Sequence, residues 1–357
     1  MHCQCISQFG QPLVGQDRDD LVPEGSEIVL EILAAGVCHT DLHVREGGVD
    51  LGHGQRLDYA TRGVALPKTL GHENVGRVVA VGSEAGDVDA SKTYAIYPWG
   101  GCGTCPACQA GREQLCATPK FLGIHADGGY ATQIRVPHPR HLLDIGYMEP
   151  HVAAPLACSG LTTYSALRKL GEVTGPVLLI GAGGLGLTCI QLMQALGMPA
   201  PVVADIDPAK REAALAAGAQ AVVDPRADTI MADIGTACGG APEAVIDFVG
   251  AEPTAKLGFD AVAKGGKLVT VGLFGGAAPW PLPMITLKSV HIIGSYVGSL
   301  PEFAELIDLA RSGALKPIPT TRFSLHQAET VLNDLEEGKV IGRAVLVPVS
   351  RQTDCGD

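Results

Sequence analysis

The chain is predicted to be an α/β protein in which a doubly wound parallel sheet is inserted into a second, mainly β domain. Three observations carry this prediction. Between residues 158 and 297, short apolar β-prone runs alternate with helical stretches, the pattern of strands joined by crossover helices. The sequence before that region is strand-rich and punctuated by glycine, without a sustained helical period. Finally, 357 residues are too many for one compact core and suit two domains. The expected boundaries are 1–157 and 298–357 for the flanking domain and 158–297 for the insert, with the active site in the cleft between them.

The elements follow in chain order. A strand-like run, Glu27–Leu33, leads to Gly36-Val37-Cys38-His39-Thr40-Asp41-Leu42-His43, and Gly71-His72-Glu73 precedes a second run, Gly76–Val81. Alone, each fragment reads as ordinary packing, because free Cys is among the most buried residue types. The interval Val44–Leu66 is long, glycine-rich and of mixed charge, which marks a functional or disordered loop. His53 within it reads as a solvated histidine, and Trp99 as either a pocket wall or a packed aromatic. Cys102, Cys105, Cys108 and Cys116 then form two Cys-x-x-Cys steps and one longer step, the spacing of a closed, structural zinc site. Cys158 adds a thiol where a helix begins. Two Cys and one His around zinc, with the fourth position open, form the ligand set of a catalytic site.

The insert starts with Val177–Ile180, which runs into Gly181-Ala182-Gly183-Gly184-Leu185-Gly186 and an apolar helix through Leu196. Glycines at these positions permit a tight turn and let the backbone approach a pyrophosphate on the helix N-terminus. The next strand, Val202–Asp205, ends in an acid nineteen residues beyond Gly186. A carboxylate there accepts from a ribose 2′-hydroxyl and repels a 2′-phosphate, so Asp205 favours NAD over NADP, with Lys210 and Arg211 close enough to soften the preference. Further strands are expected at Ala221–Asp224, Ala244–Val249, Lys267–Val271 and His291–Ser295, making a six-stranded Rossmann sheet. Helices are expected at Pro208–Ala217, where Asp207 supplies the cap, and at Glu252–Ala263. After Gly298, the helix Pro301–Arg311 and the segment Thr321–Pro348 should rejoin the first domain. The apolar segment Val290–Gly298 reads either as a sheet edge that pairs between subunits or as a strand buried within one.

Composition narrows the function. A formal net charge of −12 disfavours a nucleic acid partner. No apolar run is long enough to cross a bilayer, and the first residues lack the basic and apolar regions of an export signal, so no membrane partner and a cytoplasmic location are expected. Of eleven cysteines, Cys3, Cys5, Cys189, Cys238 and Cys355 take no part in these motifs and are expected to be free.

Together, the motifs at 36–43, 71–73, 102–116 and 181–186, with Cys158 and Gly342-Arg343, resemble the zinc-containing alcohol dehydrogenases of the medium-chain dehydrogenase/reductase superfamily over nearly the whole chain. The resemblance implies a GroES-like catalytic domain around the Rossmann domain, and two Zn²⁺ per chain with NAD. It implies catalytic zinc on Cys38, His72 and Cys158, structural zinc on Cys102, Cys105, Cys108 and Cys116, and a proton relay of Thr40 and His43. Asp41 would orient His72, and Glu73 would approach the metal transiently. His39, Thr162, Gly181, Gly183, Gly184, Leu185, Gly186, Asp205, Lys210 and Arg343 would face the cofactor. The implied reaction is reversible hydride transfer between a primary or secondary alcohol and NAD, in a homodimer or homotetramer. A polyol or sugar-alcohol dehydrogenase is the nearest alternative, and a non-catalytic zinc and dinucleotide redox sensor a more distant one.

Overall fold

The computed structural model describes residues 1–348, so the expected free thiol at Cys355 lies outside the described residues. Along the chain run β1 (His2–Ile6), β2 (Val14–Asp17), β3 (Ile28–Gly36), α1 (His39–Glu46), β4 (Gly48–Gly52), β5 (Gln55–Asp58), β6 (Lys68–Thr69), β7 (Glu73–Val81) and β8 (Thr93–Ile96). Next come α2 (Pro106–Gln109), β9 (Gln133–Val136), β10 (Leu142–Asp144), α3 (Pro150–Ala153), α4 (Ser159–Leu170), β11 (Val177–Ile180), α5 (Gly184–Ala195), β12 (Val202–Ala204) and α6 (Pro208–Ala217). The remainder is β13 (Ala221–Val223), α7 (Ile230–Cys238), β14 (Ala244–Asp247), α8 (Glu252–Ala261), β15 (Lys267–Thr270), α9 (Leu282–Lys288), β16 (His291–Gly294), α10 (Leu300–Arg311), β17 (Thr320–Ser324), α11 (Ala328–Glu336) and β18 (Arg343–Val347). No helix among the described residues is long and apolar enough to cross a membrane.

The chain divides into two compact units, one of 1–47, 59–158 and 320 onward, the other of 48–58 and 159–319. In the first unit a sheet runs β10-β8-β7-β3-β18-β17, with β9 also paired to β3, beside a small sheet β2-β1-β6. The long strands β3 and β7 pair antiparallel from Ile28↔Val81 to Gly36↔Glu73, with two register shifts. That register sets Gly36, just before Cys38, directly opposite Glu73.

The second unit holds a parallel sheet of order β13-β12-β11-β14-β15-β16, the doubly wound arrangement. Its central strands bury both faces and are therefore continuously apolar: Val177–Ile180 and Val245–Ile246 are all inaccessible to solvent or nearly so. The core beneath them includes Leu178, Ile180, Val202, Val245, Phe259 and Leu268. Helix α6 begins where Asp207 accepts from the Ala209 N–H (2.8 Å), with Pro208 at its first position, and ends on Gly218 at φ +107°.

Two boundaries differ from the sequence expectation. The chain returns to the first unit at Thr320 rather than at Gly298, because α10 packs on α4 of the second unit, which leaves Gly298 against Leu161. Ser299 and Glu302 cap α10 reciprocally: the Glu302 carboxylate accepts from the Ser299 N–H at 2.7 Å. The glycine-rich interval after α1 is an antiparallel hairpin, β4–β5, that belongs to the second unit. There the Gly276 N–H donates to the Asp50 carbonyl (3.3 Å), and a Cβ on Gly52 would meet the Ala277 backbone nitrogen at 2.6 Å. His53 sits exposed at the tip of this hairpin.

Candidate metal centre and dinucleotide site

The first cluster is built where β3 ends and α1 begins. Cys38 is the N-cap of α1, and Asp41, three residues on, turns back so that its carboxylate accepts from the Cys38 N–H at 3.1 Å. The same carboxylate accepts from the Gly71 N–H (3.1 Å), His72 Nδ1–H (3.1 Å) and the Tyr130 hydroxyl (2.9 Å). Asp41 is wholly buried, and four donors satisfy it. Gly71 is required beside it: its φ is +91°, and a Cβ would strike the Tyr130 ring at 2.3 Å.

With Nδ1 committed to Asp41, Nε2 of His72 is buried without a hydrogen-bond partner. Around it stand Cys38, Glu73 and Cys158, whose ligand atoms and that of His72 all lie within 4.8 Å of one another. The two sulfurs are 3.9 Å apart, too far for a disulfide. Two thiols, an unpartnered imidazole nitrogen oriented through its other nitrogen, and a carboxylate suit a zinc ion chemically. The Cys158 thiol donates toward Cys38 and, against burial, holds that thiol well below its usual range, while Cys158 itself is pushed up. Burial opposes protonation of His72, yet Asp41 lifts its pKa well above the ordinary value.

Glu73 is buried and its pKa is raised to about 7 by desolvation, against the opposing pull of Arg343. Its carboxylate is paired with the Arg343 guanidinium and occupies the space a side chain on Gly36 would need, since a Cβ there would fall 2.0 Å from Oε2. Arg343, expected to face the cofactor, is thus bonded to Glu73, and its Nε is buried without a hydrogen-bond partner. Trp99 is packed: it donates to the Ala157 carbonyl (3.0 Å), and its ring lies 5.4 Å from that of His72. His39, Thr40 and His43 lie half-buried on α1, with Thr40 and His43 three residues apart on one helix face. The Tyr130, Gly36 and Glu73–Arg343 contacts had no sequence signal, because each joins residues remote in the chain or depends on the β3–β7 register.

The second cluster is the four-cysteine lobe, whose sulfurs lie within 4.8 Å of one another. Backbone N–H groups of Cys102, Cys105 and Thr118 point at its sulfurs from 3.3–3.4 Å, the arrangement that stabilises thiolates. The Thr104 hydroxyl helps hold the Cys102 thiol down at about 5, whereas burial pushes Cys108 up to about 12. The chemistry of this donor set also fits zinc. The ten cysteines among the described residues are all unpaired.

In the second unit Gly181 takes φ +97°, and a Cβ on Gly186 would meet the Gly181 carbonyl at 2.0 Å, so the turn into α5 closes only with glycine at both positions. A Cβ on Gly183 meets nothing within 4 Å, which leaves the backbone there open to a ligand. Gly184 and Leu185 begin α5. Asp205, just past β12, accepts from the Ala182 N–H (2.7 Å) and the Asp207 N–H (2.8 Å), and so is tied to the glycine turn. Lys210 is half-buried on α6, and Thr162 is buried in α4.

Comparison with known proteins places the chain among dehydrogenases. A family model described as "Alcohol dehydrogenase GroES-like domain" matches residues 24–146, and one described as "Zinc-binding dehydrogenase" matches 184–312. An NAD-dependent alcohol dehydrogenase of Sulfurisphaera tokodaii is 38% identical over 351 residues, covering 98% of this chain and 100% of that one. The chain belongs to the zinc-containing alcohol dehydrogenase family. Among solved structures of similar fold, the alcohol dehydrogenase of Aeropyrum pernix is 31% identical, with a TM-score of 0.88 over 98% of this chain and 100% of that one. The D-arabinose dehydrogenase of Sulfolobus solfataricus is 26% identical, with a TM-score of 0.81 over 97% of this chain and 99% of that one. The GroES-like and Rossmann architecture of the medium-chain superfamily is therefore that of this zinc-containing dehydrogenase.

Proposed function

We propose that the chain is an NAD-dependent, zinc-dependent alcohol dehydrogenase that binds two zinc ions. The observation that carries this is the unpartnered Nε2 of His72 between two thiols and beside a carboxylate. Cys38, His72 and Cys158 would hold the catalytic ion, and Cys102, Cys105, Cys108 and Cys116 the structural one. When bound, zinc acidifies an alcohol hydroxyl and NAD accepts the hydride.

The residues do the rest. Asp41 fixes the tautomer of His72 by accepting a hydrogen bond from Nδ1–H, which keeps the Nε2 lone pair available. Thr40 and His43 on α1 carry the substrate proton outward; burial keeps the His43 imidazole neutral and able to accept it. Glu73, held by Arg343, supplies a carboxylate beside the ligand sulfurs. Gly181, Gly183 and Gly186 admit the pyrophosphate, and Asp205 receives the ribose hydroxyls.

The unpaired cysteines suit a reducing compartment, in keeping with a cytoplasmic enzyme. Exposed Leu282 and Leu287 on α9, beside the edge strand β16, support a homo-oligomer.

A second reading, a sugar or polyol dehydrogenase, is favoured by the likeness to the D-arabinose enzyme. The test is NAD⁺ reduction with primary, secondary and aromatic alcohols, vicinal diols and aldoses, with zinc measured on the same preparation. Simple alcohols turning over fastest, with about two zincs per chain, is the expected result; faster turnover of diols or aldoses selects the second reading. A Cys38→Ala variant that lost one zinc and kept full turnover would overturn both.

A further inference from the structure

The carboxyl ends of β12 and β13 carry a group of charges larger than the one acid that the ribose needs. Arg211, on α6, donates through Nη1 to the Asp205 carbonyl (2.7 Å) and is paired with Asp224 at 3.3 Å. Arg226 donates to the Asp224 carboxylate from Nε (3.1 Å) and Nη2 (2.9 Å), and to the Ile206 carbonyl at 2.7 Å. Two guanidinium groups therefore lie along the 205–206 backbone. Both are paired with the Asp224 carboxylate, whereas the Asp205 carboxylate is occupied by the Ala182 and Asp207 N–H groups.

We propose that rejection of a 2′-phosphorylated cofactor rests on Asp224 as well as on Asp205: Asp224 occupies and neutralises Arg211 and Arg226, which form a latent 2′-phosphate site. This deepens the NAD reading and rests on it. In open α/β sheets the ligand lies beyond the carboxyl ends of the strands, and an arginine near the ribose acid is what accommodates a 2′-phosphate. Guanidinium groups bind phosphate through paired N–H donors, and here those donors are turned onto Asp224 and two carbonyls. The two carboxylates and two guanidiniums cancel, so a phosphate meets no net positive charge. Loss of Asp205 alone removes the ribose acceptor and leaves both arginines on Asp224. Loss of Asp224 frees the arginines and keeps the acceptor.

The test is titration calorimetry of the intact protein with NAD⁺ and NADP⁺ at low ionic strength, where charge effects are least screened. Asp224→Asn is expected to tighten NADP⁺ relative to NAD⁺ by about tenfold, roughly one charge-assisted hydrogen bond. Adding Arg226→Ala and Arg211→Ala should abolish that gain. An unchanged NADP⁺/NAD⁺ ratio in Asp224→Asn, or a gain that survives loss of both arginines, overturns the proposal. If Asp224→Asn does not fold, Arg226→Glu in the otherwise native chain reads the same site in reverse: the ratio should fall, and an unchanged ratio overturns the proposal. Wild-type protein that binds neither dinucleotide overturns the NAD reading itself, a result distinct from any change in ratio.

Discussion

His43, the proton acceptor in the proposed mechanism, shows how burial tunes a single residue. Its imidazole is half-buried, and desolvation lowers its pKa below the ordinary 6.5 although the Cys38 sulfur pulls the other way. A proton acceptor must be neutral, so alcohol oxidation should fall only as pH drops through a value below 6.5, where His43 becomes charged. His43→Gln should slow oxidation by about a hundredfold and remove that acid limb, and small buffer bases should restore part of the rate. A pH–rate profile with and without added base checks this; an unaltered profile would mean that the proton leaves by another path. At this scale the sequence was most legible where residue type dictates chemistry. The four cysteines at 102–116 could be read directly from their spacing, Cys38, His72, Cys158 and Asp41 gained their roles only through the family resemblance, and the partners of Glu73 could not be read at all, since Gly36 and Arg343 meet it only through strand pairing.

Helix α1 illustrates the next scale, because it is fixed at both ends by different means. Asp41 closes its first turn and ties it to Gly71, His72 and Tyr130. At the other end Gly47 is left-handed, and a Cβ there would strike Phe9 at 2.7 Å, while the Gly10 N–H donates to the Arg45 carbonyl (2.8 Å). The buried Arg45 side chain reaches α11, where it meets Glu329 (3.1 Å), Asn333 (2.7 Å) and Glu336 (2.6 Å). Removing one partner of a buried ionic network leaves the others unsatisfied, although both carboxylates, Glu329 and Glu336, are partly solvated and the penalty is reduced accordingly. Arg45→Met should therefore cost about 1–3 kcal/mol and lower kcat more than it raises KM, with zinc content retained because Asp41 still holds Cys38. Thermal melts, zinc analysis and steady-state kinetics test the three parts; loss of zinc with the variant would refute the division of labour. The position of α6 was readable in sequence from the Asp207 cap and Pro208, and that of α10 to within one residue, though its Ser299 cap was not. The docking of α11 on α1 was not, because charged residues on a helix face carry no address.

For the whole molecule, the parallel sheet was legible because strands buried on both faces must be apolar throughout. The first unit was less so, since its strands are short, antiparallel and joined by irregular loops. An exposed apolar surface among the described residues bears on the proposed homo-oligomer. Leu282 is 77% and Leu287 68% exposed on α9, and β16, the edge of its sheet, is only half covered. Apolar surface of this kind beside an open strand favours association. Wild-type protein should sediment as a dimer or tetramer, and Leu287→Glu should shift the equilibrium toward smaller species by placing a charge where burial is required. A native monomer would exclude the assembly. The hairpin β4–β5 carries a consequence for recombination between relatives. The chain leaves the first unit at Gly48, returns at Tyr59, leaves again at Ser159 and returns at Thr320. A graft of 159–319 into another scaffold would leave behind the short excursion whose Asp50 and Gly52 pack on Gly276 and Ala277. A working chimera of this dehydrogenase has to exchange two pieces of the gene together, and crossover points chosen from linear similarity alone will separate them.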